Sequence, residues 1–511
     1  MSSTRVDERI DAGQSQAAPA PHRWWVLAAV SLAQLMVVLD ATVVNIALPS
    51  AQQALHFSDD QRQWIVTAYS LSFGSLLLLG GRLADLVGRK RTVVVGITGF
   101  ALASALGGAA TGFTMLVVAR AIQGLFGALM APAALSLLTT TFTESKERAR
   151  AFGVFGAIAG SGAAIGLILG GLLTEYLDWR WTLYVNVVIA TFALIGVTVF
   201  IRASAPADPP SLDIPGVLLV SSGLFCIVFG FANAASYSWS DWMTWGFLAV
   251  GPVLLLAFVL WQRRAQHPLL PLGVLADRNR AAAFSTVFVA SAGMFGVFLF
   301  LTYYLQGTLG YSPVRNGLAF LPMVGALIVT AQLATNVLVP RFGPKAVAPL
   351  GLLLAAVGMT WFTRLGLQSN YVPHVLLPLL VLGAGIGLSM PVAMSRATLG
   401  VRTSDQGVAS ATANTTQQIG GAISIALLNT LATSAAAHYV DLHPGDPRIQ
   451  ANAALHSYDT AYWWSAAFFA FGALLTVLLF RRKGAAFGPP AATAVDPGHS
   501  GDAPYRAVPA P

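Results

Sequence analysis

Residues 80–92 read GGRLADLVGRKRT and end a long apolar run with one acid, Asp85, and four bases, Arg82, Arg89, Lys90 and Arg91. Charged side chains are rare in the chain, because only 10% of its 511 residues are charged whereas 56% are hydrophobic. An ordinary soluble domain carries roughly 25% charged residues. The composition therefore indicates a membrane protein in which this segment connects two apolar spans.

Fourteen apolar stretches are long enough for a membrane-spanning helix, which needs about 20 residues. Backbone amides in lipid must be hydrogen-bonded within their own segment, so a series of such stretches predicts an all-α membrane protein. The predicted spans are 24–48, 63–81, 93–111, 114–138, 151–173, 182–201, 212–233, 243–262, 281–304, 316–338, 346–365, 372–394, 407–434 and 458–480.

The bases between the spans predict the orientation, since Lys and Arg of short loops gather on the cytoplasmic side. With the N-terminus in the cytoplasm, 23 of the 29 bases fall on that side, five fall on the other, and Arg120 lies within a span. Both termini are therefore predicted to be cytoplasmic, with loops 49–62 and 435–457 outside. The expected location is the cell membrane, the inner or plasma membrane of a bacterium. The net charge of +8 reflects this topology rather than binding to nucleic acid.

The tails and the missing motifs narrow the function. Residues 1–23 are polar and lack a clear cleavage site, which favours a retained cytoplasmic tail over a signal peptide. Residues 481–511 are rich in Ala, Pro and Gly, and this composition predicts a disordered tail. The single cysteine, Cys226, excludes an internal disulfide, and neither a GxxxxGK[ST] loop nor an HExxH motif occurs. We therefore expect no cofactor, no metal site and no enzymatic activity, and an ion gradient as the energy source.

Two ionisable residues lie well inside predicted spans, Asp40 in the first and Arg120 in the fourth. A charge there costs about 2.5 to 3.5 kcal/mol on insertion scales, which makes both residues functional candidates. At 1.5 Å per residue they lie about 12 and 9 Å from the outer ends of their spans, a depth compatible with one shared cavity. The leading hypothesis is that Asp40 carries a proton and Arg120 tunes it. A purely structural ion pair is the alternative.

Several motifs follow one another along the chain. The first half contains LDATVVNIALP, GRLADLVGRKRT, RAIQGLFGA, a glycine-rich fifth span and DWRWTLYVNV, and the second half contains HPLLPLGVL, SPVRNGLAFLP and GVASATANTTQQIGGA. In this order they resemble the major facilitator superfamily, specifically its fourteen-span drug:proton antiporter branch, with the looser similarity in the second half. The resemblance implies two pseudosymmetric six-helix bundles, 24–202 and 281–480, with the helix pair 212–262 inserted between them. It also implies alternating access, in which one bundle rocks on the other about a central site.

The resemblance gives the opening segment a role as a conformational gate. In the family, the acid of this loop docks on the other bundle and holds the cytoplasmic side shut. That role falls here to Asp85, with Gly81, Gly88 and Arg89 shaping the turn. An acid at a helix N-terminus contributes a few tenths to about 1 kcal/mol, enough to bias a rocking equilibrium. A turn that serves only membrane topology is the alternative, although bases alone would suffice for that purpose.

The fifth span carries Gly162, Gly166 and Gly170 at intervals of four residues, followed by Gly171. Small residues at this spacing allow close helix packing. The family has a glycine hinge here that usually contains Gly-Pro, but Leu167 follows Gly166, so the proline is absent. A packing role without a hinge is therefore an equal alternative.

The predicted substrate cavity is apolar and aromatic with scattered amides. Its candidate lining residues are Gln123, Phe284, Phe288, Phe295, Asn414 and Gln418. Gln123 shares a helix face with Arg120, whereas an aromatic stripe in a membrane helix faces lipid or a neighbouring helix at least as often. Asp40 is the one membrane acid identified, which favours a lipophilic neutral or monocationic substrate.

The predicted function is proton-coupled export of lipophilic drugs or metabolites by a monomer in the lipid bilayer. Two alternatives stay open. The chain could be an uptake symporter or an exporter dedicated to one endogenous metabolite, or it could be a membrane sensor or assembly partner that translocates nothing.

Overall fold

The computed structural model describes residues 22–142, 144–201, 213–236, 239–266, 268–270, 272–273, 277–399, 401 and 406–480. These residues form fourteen helices of at least 19 residues each, numbered in chain order. The helices are α1 (Arg23–Leu55), α2 (Asp59–Val87), α3 (Arg89–Gly108), α4 (Phe113–Thr141), α5 (Ser145–Tyr176), α6 (Trp181–Phe200), α7 (Ile214–Ser236), α8 (Trp242–Gln262), α9 (Arg278–Thr308), α10 (Pro313–Phe342), α11 (Pro344–Phe362), α12 (Val372–Thr398), α13 (Gln406–Leu442) and α14 (Ile449–Leu479). Both predicted tails fall almost entirely outside the described residues.

Thirteen of these helices are long and apolar enough to cross a membrane. The fourteenth, α5, has 32 residues, and several of its side chains lie outside the described part of the chain. The described ranges contain no β-strand. The prediction of an all-α, multi-pass membrane protein is therefore confirmed.

The helices pack as two similar bundles. In the first, α1 contacts α4, α5 and α6, α4 contacts α2 and α3, and α3 contacts α6. In the second, α9 contacts α12, α13 and α14, α12 contacts α10 and α11, and α11 contacts α14. Each of these contacts in the first bundle thus recurs in the second with the helix number raised by eight, which is the predicted pseudosymmetry. The bundles meet where α2 packs on α13 and where α5 packs on α10.

The inserted helices, α7 and α8, form a hairpin beside the seam between the bundles. Helix α7 packs against both α2 and α13, and the Ser221 hydroxyl donates a 2.7 Å hydrogen bond to the Ser75 backbone carbonyl of α2. Asp213, just before α7, accepts hydrogen bonds from Trp261 Nε1 (2.7 Å) and Gln262 Nε2 (2.6 Å) at the end of α8. Although burial opposes it, these hydrogen bonds hold the pKa of Asp213 below its ordinary value. The start of α7 is thus fastened to the end of α8.

The helix connections define the two ends of the molecule. We call the end that carries the α1–α2 and α13–α14 connections the predicted outer end, and the opposite end the predicted inner end. Helix α1 continues to Leu55, and only residues 443–448 separate α13 from α14. The predicted outer loops 49–62 and 435–457 are therefore mostly helical. Hydropathy misses these turns because their residues are mixed in polarity, yet their backbones remain helical.

Single-cysteine labelling tests the predicted sidedness. In a Cys226→Ala background, a membrane-impermeant thiol reagent added to intact cells should label Gly445→Cys, in the α13–α14 connection, and should spare Ala485→Cys, in the C-terminal tail. Permeabilised cells should show labelling at both positions. Labelling of Ala485→Cys in intact cells would show that the C-terminus is outside and that the predicted topology is wrong.

Candidate functional site

Asp40 of α1 and Arg120 of α4 form a buried ion pair inside the first bundle. Asp40 Oδ2 lies 2.5 Å from Arg120 Nη1, and the two residues are 0% and 1% exposed. Burying two charges costs several kcal/mol per ion, which their attraction offsets only when further hydrogen bonds satisfy both groups. The chain supplies those hydrogen bonds.

Side chains from three helices and one backbone carbonyl surround the pair. Gln123 Nε2 and Asn186 Nδ2 donate to the other carboxylate oxygen at 3.1 and 2.8 Å, so the carboxylate accepts from three residues. Arg120 also donates to Gln123 Oε1 at 2.9 Å and to the Ile65 carbonyl at 3.2 Å. Its guanidinium lies 4.5 Å from the centroid of the Tyr69 ring, within cation–π distance.

Local sequence explains how these groups meet. Gln123 follows Arg120 by three residues and therefore lies on the same face of α4. Gln123 Nε2 also donates a 2.6 Å hydrogen bond to the Ser104 hydroxyl of α3, which fixes the orientation of the amide. Gly124 lets α2 approach α4, because a Cβ there would overlap the Tyr69 backbone carbonyl. The ion pair is therefore fixed by contacts from α2, α3, α4 and α6.

A small cavity beside the ion pair reaches the second bundle. It is lined by Ala41, Val44, Asn45, Val66, Tyr69, Ser70 and Arg120 of the first bundle and by Gln418 of the second. The buried centre thus borders the seam, at the level where a bound molecule would touch both bundles.

The seam is closed at the predicted outer end. Arg62 of α2 places its guanidinium 3.4 Å from the centroid of the Tyr303 ring of α9. Gln306 Nε2 of α9 donates a 3.1 Å hydrogen bond to the Ile46 backbone carbonyl of α1. Apolar residues of both bundles form one continuous core around these contacts.

The predicted glycines of α5 face two different helices. A Cβ on Gly162 or Gly170 would lie 3.0 Å from Val38 or Val43 of α1, and a Cβ on Gly166 would overlap Thr42 of the same helix. Gly171 instead faces α10, where a Cβ would lie 2.8 Å from the Pro313 carbonyl oxygen. Close packing is therefore present at all four positions, and the hinge role stays a prediction.

Helices α5 and α10 cross at this point through glycines on both sides. A Cβ on Gly317 of α10 would overlap the Leu167 carbonyl oxygen of α5. The Glu175 carboxylate of α5 also accepts a 2.9 Å hydrogen bond from the Val314 amide, in the first turn of α10. The crossing thus joins the two bundles backbone to backbone.

The predicted gate segment forms a tight turn between α2 and α3. Gly88 has φ of +99°, which favours glycine because it lies outside the range that L side chains commonly adopt. Gly81 faces α4, where a Cβ on this glycine would lie 3.7 Å from the Cβ of Pro132, and Arg89 begins α3. Asp85 lies near the end of α2, but its side chain is outside the described residues.

The other predicted cavity residues are dispersed. Gln418 borders the cavity, whereas the Asn414 side chain is exposed and donates to the Ser410 carbonyl one turn earlier. Phe284 is buried in a core shared with α7 and α8, and Phe288 is partly buried against the central core. The side chain of Phe295 lies outside the described residues.

Sequence reasoning missed four polar contributors and one acid. Tyr69, Ser104 and Asn186 contact the ion-pair network, and Asn45 lines the cavity. Polar residues in apolar spans were the available signal for all four. The structure also draws attention to a second acid, Asp459, because α14 begins nine residues before the predicted span and Asp459 is therefore the eleventh residue of the helix.

The sequence of the chain matches a known protein family and several of its members. Residues 30–425 match the sequence profile of the Major Facilitator Superfamily. The chain is 50% identical to the puromycin resistance protein of Streptomyces alboniger, covering 87% of this chain and 88% of that protein. It is 34% identical to the tetracenomycin C resistance and export protein of Streptomyces glaucescens, covering 85% and 80% of the two chains.

A solved structure shares the fold. The auto-inhibited peptide transporter of the POT family superposes with a TM-score of 0.65 over 92% of this chain and 99% of that one. The sequences are 16% identical, so this likeness concerns the fold alone.

Proposed function

This chain belongs to the Major Facilitator Superfamily, and on that premise we propose that it is a proton-coupled antiporter that exports lipophilic, neutral or monocationic drugs or metabolites. It acts as a monomer in a bacterial plasma membrane, with both termini in the cytoplasm. The carboxylate of Asp40 is the proton carrier, and Arg120 tunes its charge.

The observation that carries the proposal is the arrangement around Asp40. Its carboxylate is the acceptor for Arg120, Gln123 and Asn186, which come from two other helices of the same bundle. Adding a proton removes the negative charge that holds these three donors in place. Proton binding therefore changes the contacts of α1, α4 and α6 together, beside a cavity that touches the second bundle.

Two unsatisfied atoms near the carboxylate favour a working site over a purely structural pair. The Asn186 Oδ1 atom and the Tyr69 hydroxyl are both buried and have no hydrogen-bond partner among the residues that the structure describes. Buried polar groups are normally satisfied, so each exception needs a physical reason, and access of water or substrate in another conformation would supply one here. A pair that served only stability would gain by satisfying both atoms.

The transport cycle follows from competition at this carboxylate. Exposed to a more acidic outside, Asp40 binds a proton, loses its charge and releases a cationic substrate. After the bundles rock, the less acidic cytoplasm accepts the proton. The restored negative charge, balanced by Arg120, favours entry of the next substrate.

Substrate range is proposed from the cavity and the relatives. The small cavity beside Arg120 combines aliphatic residues with the amides of Asn45 and Gln418, and a separation of the bundles would have to widen it to admit an apolar molecule with few polar groups. The 50% identity to a puromycin resistance protein makes puromycin the first compound to test, and an exporter dedicated to one such compound the second candidate.

Proton movement in proteoliposomes tests the function. Puromycin, tetracenomycin C and a set of lipophilic cations are added in turn to vesicles that contain the purified protein and an internal pH dye. Substrate-induced proton flux is expected with at least one compound. Binding of these compounds without proton flux would favour a sensor.

Asp85→Asn tests the proposed gate. Because one charge at a helix N-terminus contributes a few tenths to about 1 kcal/mol, transport should fall about two- to fivefold at nearly normal expression. Arg91→Gln is the matched control, since Arg91 is an exposed base in the same turn. If the turn serves membrane topology alone, Arg91→Gln should reduce transport and Asp85→Asn should leave it unchanged.

A further inference from the structure

Asp459 is a second acid inside a membrane-spanning helix, and it belongs to the second bundle. It is the eleventh residue of α14 and is partly buried. Its Oδ1 atom is buried without a hydrogen-bond partner, and within the described part of the chain no base forms an ion pair with it. Asp40, by contrast, accepts hydrogen bonds from three side chains. A negative charge left in this state is costly, and binding a proton relieves that cost.

Two tyrosines of α14, Tyr458 and Tyr462, lie within three residues of Asp459. Tyr462, three residues further along α14, is buried, and its hydroxyl also has no hydrogen-bond partner within the described ranges. The spacing of three residues places Asp459 and Tyr462 on the same face of the helix. Tyr304 belongs to α9, and its ring centroid is 6.3 Å from that of Tyr458. The Asp459 carboxylate and the Tyr462 hydroxyl thus each contain a buried oxygen that has no hydrogen-bond partner among the described residues.

The other helices packed on this part of α14 present aromatic side chains. From α11, the apolar Phe362 contacts Tyr462. From α13, Tyr439 contacts His456, which lies one turn closer to the start of α14. Among the described residues, neither His456 nor any other base is hydrogen-bonded to the buried Oδ1 atom of Asp459. In the described part of the chain, the charge of this carboxylate therefore has no fixed counterion.

We propose that Asp459 is a second proton-binding site, carried by the second bundle and loaded from the predicted outer side. One proton converts the carboxylate to a neutral acid, which removes the buried negative charge. Each bundle thus carries one acid that exchanges a proton during transport. The role in transport rests on the proposed function, whereas proton binding itself does not.

Infrared difference spectroscopy of the full chain in lipid nanodiscs tests proton binding. Titration from alkaline to acidic pH should produce a protonated-carboxyl absorption in the wild type that Asp459→Asn lacks and Asp459→Glu shifts. Asp441→Asn is the matched control, because Asp441 is an exposed acid at the same end of the molecule. Identical spectra for the wild type and Asp459→Asn would overturn the proposal.

The number of protons exchanged per substrate tests the role in transport. It is read from the pH gradient that just balances a known puromycin gradient across proteoliposomes. Asp459→Asn should lower this number by one and retain coupled transport, and an unchanged number would overturn the role. A wild type without any proton coupling would refute the proposed function, while the infrared titration would still decide whether Asp459 binds a proton.

Discussion

Asp40→Asn is expected to abolish efflux of a cationic substrate driven by a pH gradient, reducing it to the rate of empty vesicles, because proton and substrate compete at Asp40 and not at Asp459. The amide cannot release a proton, so the alternation between charged and neutral states stops. Exchange of a neutral substrate at equal pH on both sides should persist, because it needs no proton. Asp40→Glu should keep partial activity, since the titratable group is displaced by about one methylene. Radiolabelled substrate flux in proteoliposomes, with and without the gradient, measures all three results.

Stability must be separated from coupling in this experiment. Asp40→Asn leaves Arg120 as a buried charge without its counterion, and breaking a buried pair in this way costs about 3 to 5 kcal/mol. The double variant Asp40→Asn/Arg120→Gln removes both charges and should fold better than the single variant. It should remain uncoupled. Recovery of gradient-driven efflux in the double variant would assign the ion pair to stability alone.

Gly317→Ala is expected to slow transport about tenfold or more. The added methyl group would overlap the Leu167 carbonyl of α5, so α5 and α10 must separate where they join the bundles. Overpacking typically costs about 1 to 3 kcal/mol, and each 1.4 kcal/mol changes a conformational equilibrium about tenfold. The conformation closed at the predicted outer end should lose stability relative to the open one. A cysteine introduced at Val44, in the cavity, should then react faster with an impermeant reagent from outside.

Gly325→Ala is the matched control for this variant. Gly325 lies on the same helix, and a Cβ there would meet nothing within 4 Å. Both substitutions gain the same helix propensity, so their difference isolates the crossing of α5 and α10. Equal transport and equal labelling in the two variants would show that the crossing does not limit the cycle.

The sequence predicts the architecture well because membrane spans are set by short-range chemistry. Apolar runs, internal backbone hydrogen bonding and the distribution of Lys and Arg each act within one helix or loop. The ends of α1, α13 and α14 are less predictable, because helices continue past the apolar segment without changing backbone geometry. The same effect obscured Asp459, which lies well within α14 but only one residue inside the predicted span.

The residues of the ion-pair site can be predicted from the sequence only where a charged residue interrupts an apolar span. Asp40 and Arg120 stand out in apolar spans, and the spacing of Gln123 from Arg120 places it on the same face. Asn186 and Tyr69 reach the pair from other helices, and periodicity within one helix does not indicate which neighbour it meets. The crossing of α5 and α10 depends in the same way on two glycines far apart in the chain.

Proton release on substrate binding tests the central claim most directly. Purified protein in weakly buffered detergent solution is mixed with puromycin, or with another compound shown to bind, and the pH change is recorded with binding measured in parallel. We predict that the wild type releases protons as substrate binds, and that Asp40→Asn/Arg120→Gln binds a neutral substrate while releasing fewer. Equal release from the two proteins at equal occupancy would contradict the assignment of Asp40 as the proton carrier.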